Sequence, residues 1–297
     1  MKRVLIQVVV LALVIFPGVR QSFGQLQYVR TTNLLAVADA SLYSNFPDAP
    51  FGSLPFVAAG AYAGETNRGL FRFDLSGIPT NAMVTNVTVS LVAYSQPPSG
   101  VLFGLSLVLT NWDEYAVTWN SRSSLMPWTA PGGQAGSDFY SSPSAFAVPS
   151  GVAGSTNQFT DNGSNPSFGL VHDVQAWVNN PAQNFGWILA AADEGSAGSV
   201  FTICSREYSG SGPVLTVGYT QPFTPPTLFG ATITNGLFQF SCNVEPDHGY
   251  GVQCSDDLTG TNWVNVRILD PPPWPTIATD YELMTTSNRF YRVMTPK

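Results

Sequence analysis

The sequence predicts an all-β protein: a jelly-roll β-sandwich with one short helix, followed by a small C-terminal β domain. Short strand-like runs, separated by clusters of Gly, Pro, Ser and Asn, fill most of the chain, a pattern typical of sandwiches and jelly rolls. A single segment shows helical spacing of its apolar residues. A Pro-rich stretch, 220–227, separates residues 228–297, which carry a hydrophobic pattern of their own.

Residues 1–24 have the features of a secretory signal peptide. Lys2 and Arg3 precede the apolar run Val4–Phe16, and small residues such as Ser22 follow it. The run is shorter than the roughly 20 apolar residues that a membrane-spanning helix needs. We therefore expect cleavage rather than an N-terminal membrane anchor, and a secreted protein: extracellular, on the cell surface or in the periplasm. No membrane span is expected after signal removal.

The first predicted domain, 25–219, contains most of the strand candidates and the helix. Strands are predicted at Val84–Tyr94, Leu102–Thr110, Trp187–Ala191, Val200–Cys204 and Val214–Tyr219. The apolar residues of Val171–Pro181 recur at helical spacing, and Pro181 is expected to end the helix. Residues 121–166 are rich in Ser, Gly and Pro. They are expected to form a long loop, which is often functional, or to contain one or two short strands.

The second predicted domain, 228–297, is expected to form four strands. Cys242 and Cys254 share the parity of neighbouring aromatic and apolar residues, so both are expected on one face. In a hairpin they would lie opposite each other, and a cross-strand disulfide could form in an oxidising compartment. Two packed thiols fit the same pattern. The third cysteine, Cys204, is expected to be a small buried residue.

The charge balance argues against several partners and activities. Only 10% of the residues are charged, and removal of residues 1–24 leaves nine basic against 19 acidic residues. An acidic chain repels nucleic acid and anionic lipid, so neither is expected as a partner. His172 and His248 lack metal-ligand spacing, and the sequence contains no GxSxG, HExxH or phosphate-loop motif. The chain is therefore expected not to be an enzyme.

Several segments, in a fixed order, resemble the DNRLRE domain, a group that overlaps carbohydrate-binding module family 96. Within residues 33–219 they are Asp39-Ala40, LFRFDLSGIP, VTNVTVSL, NWDEYAVTWN, DVQAWV, NFGWILAAADE and SREYSGSGPVLTV. The resemblance implies a jelly-roll β-sandwich in secreted or cell-surface proteins. It also implies polysaccharide binding, with acidic polymers such as alginate as one ligand class. Further on, GYGVQCSDDLTGTNWV and RFYRV resemble a module at the end of secreted proteins of Verrucomicrobia, which implies no activity.

The partner implied by this resemblance is a polysaccharide, and its charge is left open by the sequence. An acidic polymer needs Lys or Arg to meet its carboxylates. Only nine basic residues follow residue 24, and several of them lie in the second predicted domain. A neutral ligand is therefore at least as well supported as alginate.

Four residues are candidates for contact with the polysaccharide: Arg72, Arg206, Trp128 and Tyr140. Either arginine could donate forked hydrogen bonds to a sugar or belong to a structural ion network. Strand alternation places Arg72 on the face opposite Phe71 and Phe73. The two aromatic residues stand among Gly, Ser and Pro without an apolar strand pattern, which makes them candidates for exposed rings on which sugars stack. Rings packed in the core are the alternative.

A structural calcium ion is the one cofactor considered. Calcium binds six to eight oxygens, often from loops, and the candidate ligands are Asp39, Asp193 and Glu194. No loop has the spacing of a dedicated calcium motif.

These patterns predict a secreted, non-catalytic polysaccharide-binding protein. The alternative is a structural or adhesive protein of the cell surface or matrix that has no sugar ligand. A polysaccharide hydrolase or lyase is disfavoured, because the sequence offers no cluster of a base and a cation.

Overall fold

A computed structural model of the chain describes residues 27–161, 163–165, 167–195, 198–222, 227–235, 237–243, 250–259, 262–269, 276–279 and 289–294. The predicted signal peptide, 1–24, lies outside the described residues, as do residues 223–226 of the predicted linker. The chain divides into a larger unit, Gln27–Pro222, and a second unit that includes Phe223–Lys297. No helix of the described part is long and apolar enough to cross a membrane.

The larger unit is built from strands, with one α-helix among its described residues. The strands are β1 (Gln27–Tyr43), β2 (Phe56–Tyr62), β3 (Glu65–Phe73), β4 (Met83–Val92), β5 (Phe103–Leu107), β6 (Ser121–Ser123), β7 (Met126–Pro127), β8 (Ala145–Ala147), β9 (Thr156–Asp161), β10 (Trp187–Ala191), β11 (Phe201–Cys204) and β12 (Val214–Pro222). The helix α1 spans Leu170–Asn179, and a 3-10 turn follows at Pro181–Gln183. The predicted all-β class and the predicted helix are both confirmed.

Strand β1 belongs to two antiparallel sheets. Its first half, as far as Leu35, pairs with β12, and that sheet continues through β4 to β9. After a bulge between Ala36 and Ala38, its second half pairs with β3, and this sheet continues through β10 and β5 to β8. Strand β2 pairs with β3 and with β11. The fold is therefore two sheets joined by a shared strand.

Alternation along the strands builds the main core between the two sheets. Phe71 and Phe73 of β3 meet Val89 and Leu91 of β4 there. Helix α1 closes one side of this core with its apolar stripe, and the ring of Trp177 lies 4.5 Å from that of Trp187. The expected orientation of Phe71 and Phe73, away from Arg72, is confirmed.

A second core lies on the other face of the sheet that contains β3. Residues from β1, β3 and β10 pack there against an irregular segment, residues 108–139, that covers the sheet. The buried members are Ala38, Ala40, Leu42, Leu70, Val108, Trp112, Val117, Trp128 and Ile188. The predicted long loop 121–166 thus contains four short strands, β6 to β9, and its first part is a packed cover rather than an exposed loop.

The second unit is a small β-sandwich. Its described strands are β13 (Thr227–Thr234), β14 (Leu237–Asn243), β15 (Tyr250–Ser255), β16 (Val264–Leu269), β17 (Thr276–Thr279) and β18 (Phe290–Met294). They form two three-stranded sheets, in the orders β13-β14-β17 and β16-β15-β18. Phe238 and Phe240 of the first sheet share a core with Tyr250 and Val252 of the second. The four predicted strands are present, and β13 and β17 are additional.

The predicted hairpin that carries Cys242 and Cys254 is wrong. Cys242 lies on β14 and Cys254 on β15, and these strands belong to different sheets, so the two residues are not cross-strand neighbours. Both are buried thiols, and the disulfide is not formed. Burial raises the pKa of the Cys242 thiol, and Arg289 donates to Cys254 Sγ at 3.0 Å. Cys204 is buried in the larger unit, as expected.

Candidate functional site

The second half of β1 has an edge that no strand of the described residues covers, because β12 pairs only as far as Leu35. A group of charged side chains, Asp39, Glu114, Arg206 and Glu207, meets this edge, and we call it the edge cluster. The backbone N–H of Asp39 donates to Glu114 Oε1 at 2.9 Å. The backbone N–H of Arg206 donates to Asp39 Oδ2 at 2.7 Å. A carboxylate therefore satisfies a strand-edge donor where a neighbouring strand would otherwise do so.

Burial and charge shift the protonation of the edge cluster. Asp39 is only 1% exposed. Its burial raises its pKa to about 7, with Glu207 and Glu114 acting in the same direction and the N–H of Arg206 opposing them. Hydrogen bonds to Glu114 raise the pKa of Arg206 above its ordinary value. The cluster is thus a compact network of charged groups in which burial disfavours the ionised form of Asp39.

The predicted calcium ligands do not come together. Asp39 belongs to the edge cluster, whereas both carboxylate oxygens of Glu194 accept hydrogen bonds from Arg68 at 2.7 Å. Asp193 accepts the N–H of Gly195 at 2.9 Å. Among the described residues, the acidic group whose carboxylate oxygens lie within 4.8 Å of one another is Asp39 with Glu114 and Glu207. Arg206 donates hydrogen bonds to both carboxylate oxygens of Glu114. The carboxylate oxygens left over in this group are fewer than the six to eight that calcium requires.

The outer face of β3 presents two arginines to the segment that covers it. Arg72 donates to Asn111 Oδ1 at 3.1 Å, and its guanidinium lies 5.0 Å from the ring centroid of Trp112. Arg68 forks onto Glu194 and lies 5.4 Å from the ring centroids of Trp119 and Phe139. Both arginines therefore bind the covering segment to the sheet. For Arg72, which was predicted either to contact a sugar or to belong to a structural network, this geometry supports the structural role.

The prediction that Trp128 is an exposed sugar platform is wrong. Its side chain is 5% exposed and packs in the second core, and its Nε1–H donates to the carbonyl of Thr118 at 2.9 Å. The Ser-, Gly- and Pro-rich segment around it folds onto the sheet, which buries the ring. Tyr140 is half exposed, as predicted, and its role in binding stays a prediction.

A groove of about 400 Å³, which no sequence pattern predicted, lies on the larger unit. It is formed by the end of β1, the loop that follows, and parts of β2, β3 and β11. We call it the aromatic groove, and its lining residues are Tyr43, Asn45, Phe46, Phe51, Leu54, Ala58, Tyr62, Glu65, Asn67, Val200 and Thr202. The one signal in the sequence was the recurrence of aromatic residues between Tyr43 and Tyr62, which lack a regular strand period.

Exposed aromatic rings and an apolar floor define the aromatic groove. Tyr62 is 64% exposed and Phe46 56% exposed, whereas Ala58 is buried at the bottom. The ring of Phe51 lies 4.7 Å from that of Tyr43 and 6.1 Å from that of Phe46, both edge to face. These contacts fix the buried side of the groove and leave two rings open to solvent.

The segments that carry the edge cluster position one wall of the aromatic groove. The carbonyl of Phe51 accepts the N–H of Ser41 of β1, and the carbonyl of Leu54 accepts the hydroxyl of Ser205 at 2.7 Å. Between them, Gly52 packs so closely on Glu114 that a Cβ at residue 52 would overlap the carbonyl oxygen of Glu114. The loop 51–54 is therefore held between the β1 edge and the segment that carries Arg206.

A second cavity, of about 590 Å³, lies beside α1 and offers a different surface. Its lining includes Val84, His172 and Gln175, and none of its described residues is Phe, Tyr or Trp. Gln175 Oε1 accepts the N–H of Val84 at 2.8 Å, and its Nε2 donates to the carbonyl of Ala82 at 3.1 Å. This side chain thus ties the helix to β4, and the cavity provides no ring for stacking.

Comparisons with known proteins do not place the chain in a family. No family model matches it, and no curated protein matches it significantly. Among solved structures, a β-1,2-glucanase from Parabacteroides distasonis matches over 90% of this chain, with 11% sequence identity and a TM-score of 0.22. The match covers 34% of the glucanase chain. A TM-score this low carries no argument about fold or function.

Proposed function

We propose that this chain is a secreted, non-catalytic polysaccharide-binding protein and that the aromatic groove holds the sugar chain. The observation that carries the proposal is the pair of exposed rings, Phe46 and Tyr62, above the buried Ala58. A contiguous exposed apolar patch marks an interaction site more often than scattered apolar residues do. The C–H faces of sugar rings stack on aromatic faces, so this surface suits a carbohydrate. The features of residues 1–24 support secretion.

Polar side chains at the aromatic groove complete the match to a sugar. Asn45, Asn67 and Glu65 line it together with the aromatic residues. Ligand sites are typically apolar with a small number of polar groups that fix orientation. Amide and carboxylate groups can exchange hydrogen bonds with the hydroxyls of a sugar ring, which gives the groove both stacking and polar recognition.

The carboxylates near the groove support binding without hydrolysis. A glycosidase commonly uses two carboxyl groups that reach the glycosidic bond from roughly 5 to 9.5 Å apart. Among the described lining residues, Glu65 is the one with a carboxylate. In the edge cluster, Asp39 and Glu114 are buried, Arg206 donates to both carboxylate oxygens of Glu114, and Glu207 pairs with Arg206 at 3.1 Å. A reducing-end assay with neutral and acidic polysaccharides tests the absence of hydrolysis, since steady product formation would overturn it.

The binding proposal is tested by affinity electrophoresis of the purified protein against a panel of polysaccharides. We expect retardation by at least one polymer. Tyr62→Ala and Phe46→Ala should each weaken it about tenfold, because each removes a stacking ring. Both side chains are largely exposed, so melting temperatures should stay unchanged. Phe146→Ala, which removes a half-exposed ring of β8, is the matched control and should bind as the wild type does.

Two results would contradict the proposal in different ways. Retardation by none of the polymers would favour the alternative, a structural or adhesive protein without a sugar ligand. Loss of retardation in Tyr140→Ala, with Tyr62→Ala unaffected, would keep the function and move the site to the platform predicted from the sequence.

A further inference from the structure

The aromatic groove carries an acidic group and no basic one. Among the described residues of its lining, Glu65 is the charged one, and none is Lys or Arg. Polymers of uronic acids or sulfated sugars repeat a negative charge along the chain, and proteins meet such charges with Arg or Lys. Glu65 would repel these groups, since charges in a partly apolar groove are less screened than in bulk water. The groove therefore disfavours an acidic polymer.

Basic side chains elsewhere in the larger unit do not supply the cation that the groove lacks. Residues 27–222 contain five arginines and no lysine. Four of the arginines bind groups of the protein itself: Arg68 binds Glu194, Arg72 and Arg122 bind Asn111, and Arg206 binds Glu114. The fifth, Arg30, precedes the groove residue Tyr43 on the same strand by roughly 40 Å of extended chain. No arginine of this unit is thus placed to pair with an acidic sugar in the groove.

Three further aromatic rings continue the surface beyond the groove. Phe56 and the groove residue Ala58 lie on one face of β2, about 7 Å apart along the strand. The ring of Phe56 lies 5.2 Å from that of Tyr94, which lies 5.4 Å from that of Tyr208. Tyr94 and Tyr208 are both 42% exposed. The N–H of Tyr94 also donates to the carbonyl of the groove residue Thr202 at 2.9 Å, so the rings adjoin the groove directly.

We propose that the ligand is a linear, uncharged polysaccharide that occupies the aromatic groove beside Tyr62 and continues over Phe56, Tyr94 and Tyr208. This inference rests on the proposed function and specifies its ligand. An uncharged chain offers C–H faces to the rings and hydroxyls to the amides, and it needs no cation. Because the rings extend past the groove, affinity depends on the number of linked sugars.

The charge class of the ligand is tested by titration calorimetry and affinity electrophoresis of the full protein with two sets of polymers. Neutral glucan, mannan and xylan form one set, and alginate and polygalacturonate the other. We expect binding to at least one neutral polymer, unchanged by added salt, and none to the acidic polymers. Salt-sensitive binding to an acidic polymer alone would overturn the uncharged ligand and leave the binding function intact. Binding to no polymer would overturn the binding function itself.

The extended path is tested by chain length, using the best neutral polymer and its trisaccharide. Tyr208→Ala should weaken polymer binding about tenfold and leave trisaccharide binding within about twofold, since the short ligand fits the groove alone. Tyr208→Phe keeps the ring and should bind the polymer as the wild type does, while Phe146→Ala should change neither affinity. Equal weakening for both ligands in Tyr208→Ala, or no weakening for either, would overturn the path over Tyr208.

Discussion

Arg206 and Glu114 lie 92 residues apart in the sequence, and the guanidinium of Arg206 donates to the two carboxylate oxygens of Glu114 at 2.6 and 2.8 Å. The oxygen at 2.6 Å also accepts the backbone N–H of Asp39. One buried carboxylate therefore joins the open edge of β1 to the segment after β11. Gly52 packs against the backbone carbonyl of the same residue, so Glu114 also contacts the wall of the aromatic groove.

Replacement of Glu114 by Ala should destabilise the larger unit. The change leaves the buried N–H of Asp39 without its acceptor and removes the better buried of the two carboxylate partners of Arg206, which we expect to cost about 1–3 kcal/mol. Urea unfolding measures this loss. Glu207→Gln is the control, because Glu207 is exposed and its pair with Arg206 should contribute less than about 1 kcal/mol. Equal losses in the two variants would contradict the central role of Glu114.

Asp39 should make the folded protein less stable as the pH rises. Its pKa is raised from 3.8 to about 7 in the folded state. Between these values the folded protein keeps a proton that the unfolded chain has lost. The stability contributed by Asp39 is therefore fully present below a pH of about 4, and it falls by up to about 1.4 kcal/mol per pH unit until the pH reaches about 7.

The variant Asp39→Asn tests this pH dependence, since the amide keeps an acceptor for the N–H of Arg206 and does not titrate. Urea unfolding of both proteins across this pH range should show a steeper fall in the free energy of unfolding for the wild type. Burial also raises the pKa of Asp173, but this residue is present in both proteins, so the difference between the slopes reports Asp39 alone. Identical slopes would show that Asp39 is ionised in the folded state.

Replacement of Trp128 by Ala should unfold the cover of β3 rather than act on a ligand directly. The indole is buried and donates to Thr118, and loss of a buried aromatic side chain costs about 3–5 kcal/mol. Thermal unfolding measures the change. Tyr140→Ala, at a half-exposed residue close by in the sequence, should stay within about 0.5 kcal/mol of the wild type. If Trp128→Ala were as stable as the wild type but bound sugar more weakly, the prediction that Trp128 is an exposed stacking ring would be supported.

Replacement of Gly52 by Ala should weaken sugar binding through the protein backbone. The added methyl group would overlap the carbonyl oxygen of Glu114, so the loop 51–54 must move and the groove wall with it. We expect a lower melting temperature and loss of retardation in affinity electrophoresis. Gly77→Ala is the matched control, because a Cβ there meets nothing within 4 Å. A wild-type melting temperature and wild-type retardation for Gly52→Ala would show that the packing of residue 52 on Glu114 does not shape the groove.

Local periodicity predicted those parts of the fold that depend on one segment. Alternation along β3 correctly separated Phe71 and Phe73 from Arg72, and helical spacing located α1. The hairpin of Cys242 and Cys254 was wrong because pairing is decided between strands, and parity within each run is equally compatible with two separate sheets. Trp128 was wrongly predicted to be exposed for a similar reason. The composition of its segment indicates an irregular structure, but it does not show that the segment packs onto a face of a sheet.

The candidate site was harder to predict, because its parts are distant in the sequence. Asp39 and Arg206 are 167 residues apart, and only the course of β1 past the end of β12 brings them together. The groove combines residues between Tyr43 and Asn67 with Val200 and Thr202. Several of these aromatic residues lie near strand ends or in turns, where no period distinguishes an exposed ring from a buried one.

The pairing of β1 with β12 sets the order in which the larger unit can fold. Of the strands of the larger unit, β1 is synthesised first and β12 last. In the folded sheet the two are neighbours, with Gln27 opposite Pro222 at the end of their ladder. Until synthesis passes Val214, the first half of β1 and the facing edge of β4 lack the strand that separates them in the finished sheet. Contacts between such distant segments slow folding, and unpaired strand edges readily join other chains. A chain that stops before residue 214 should therefore aggregate rather than fold as a smaller sandwich.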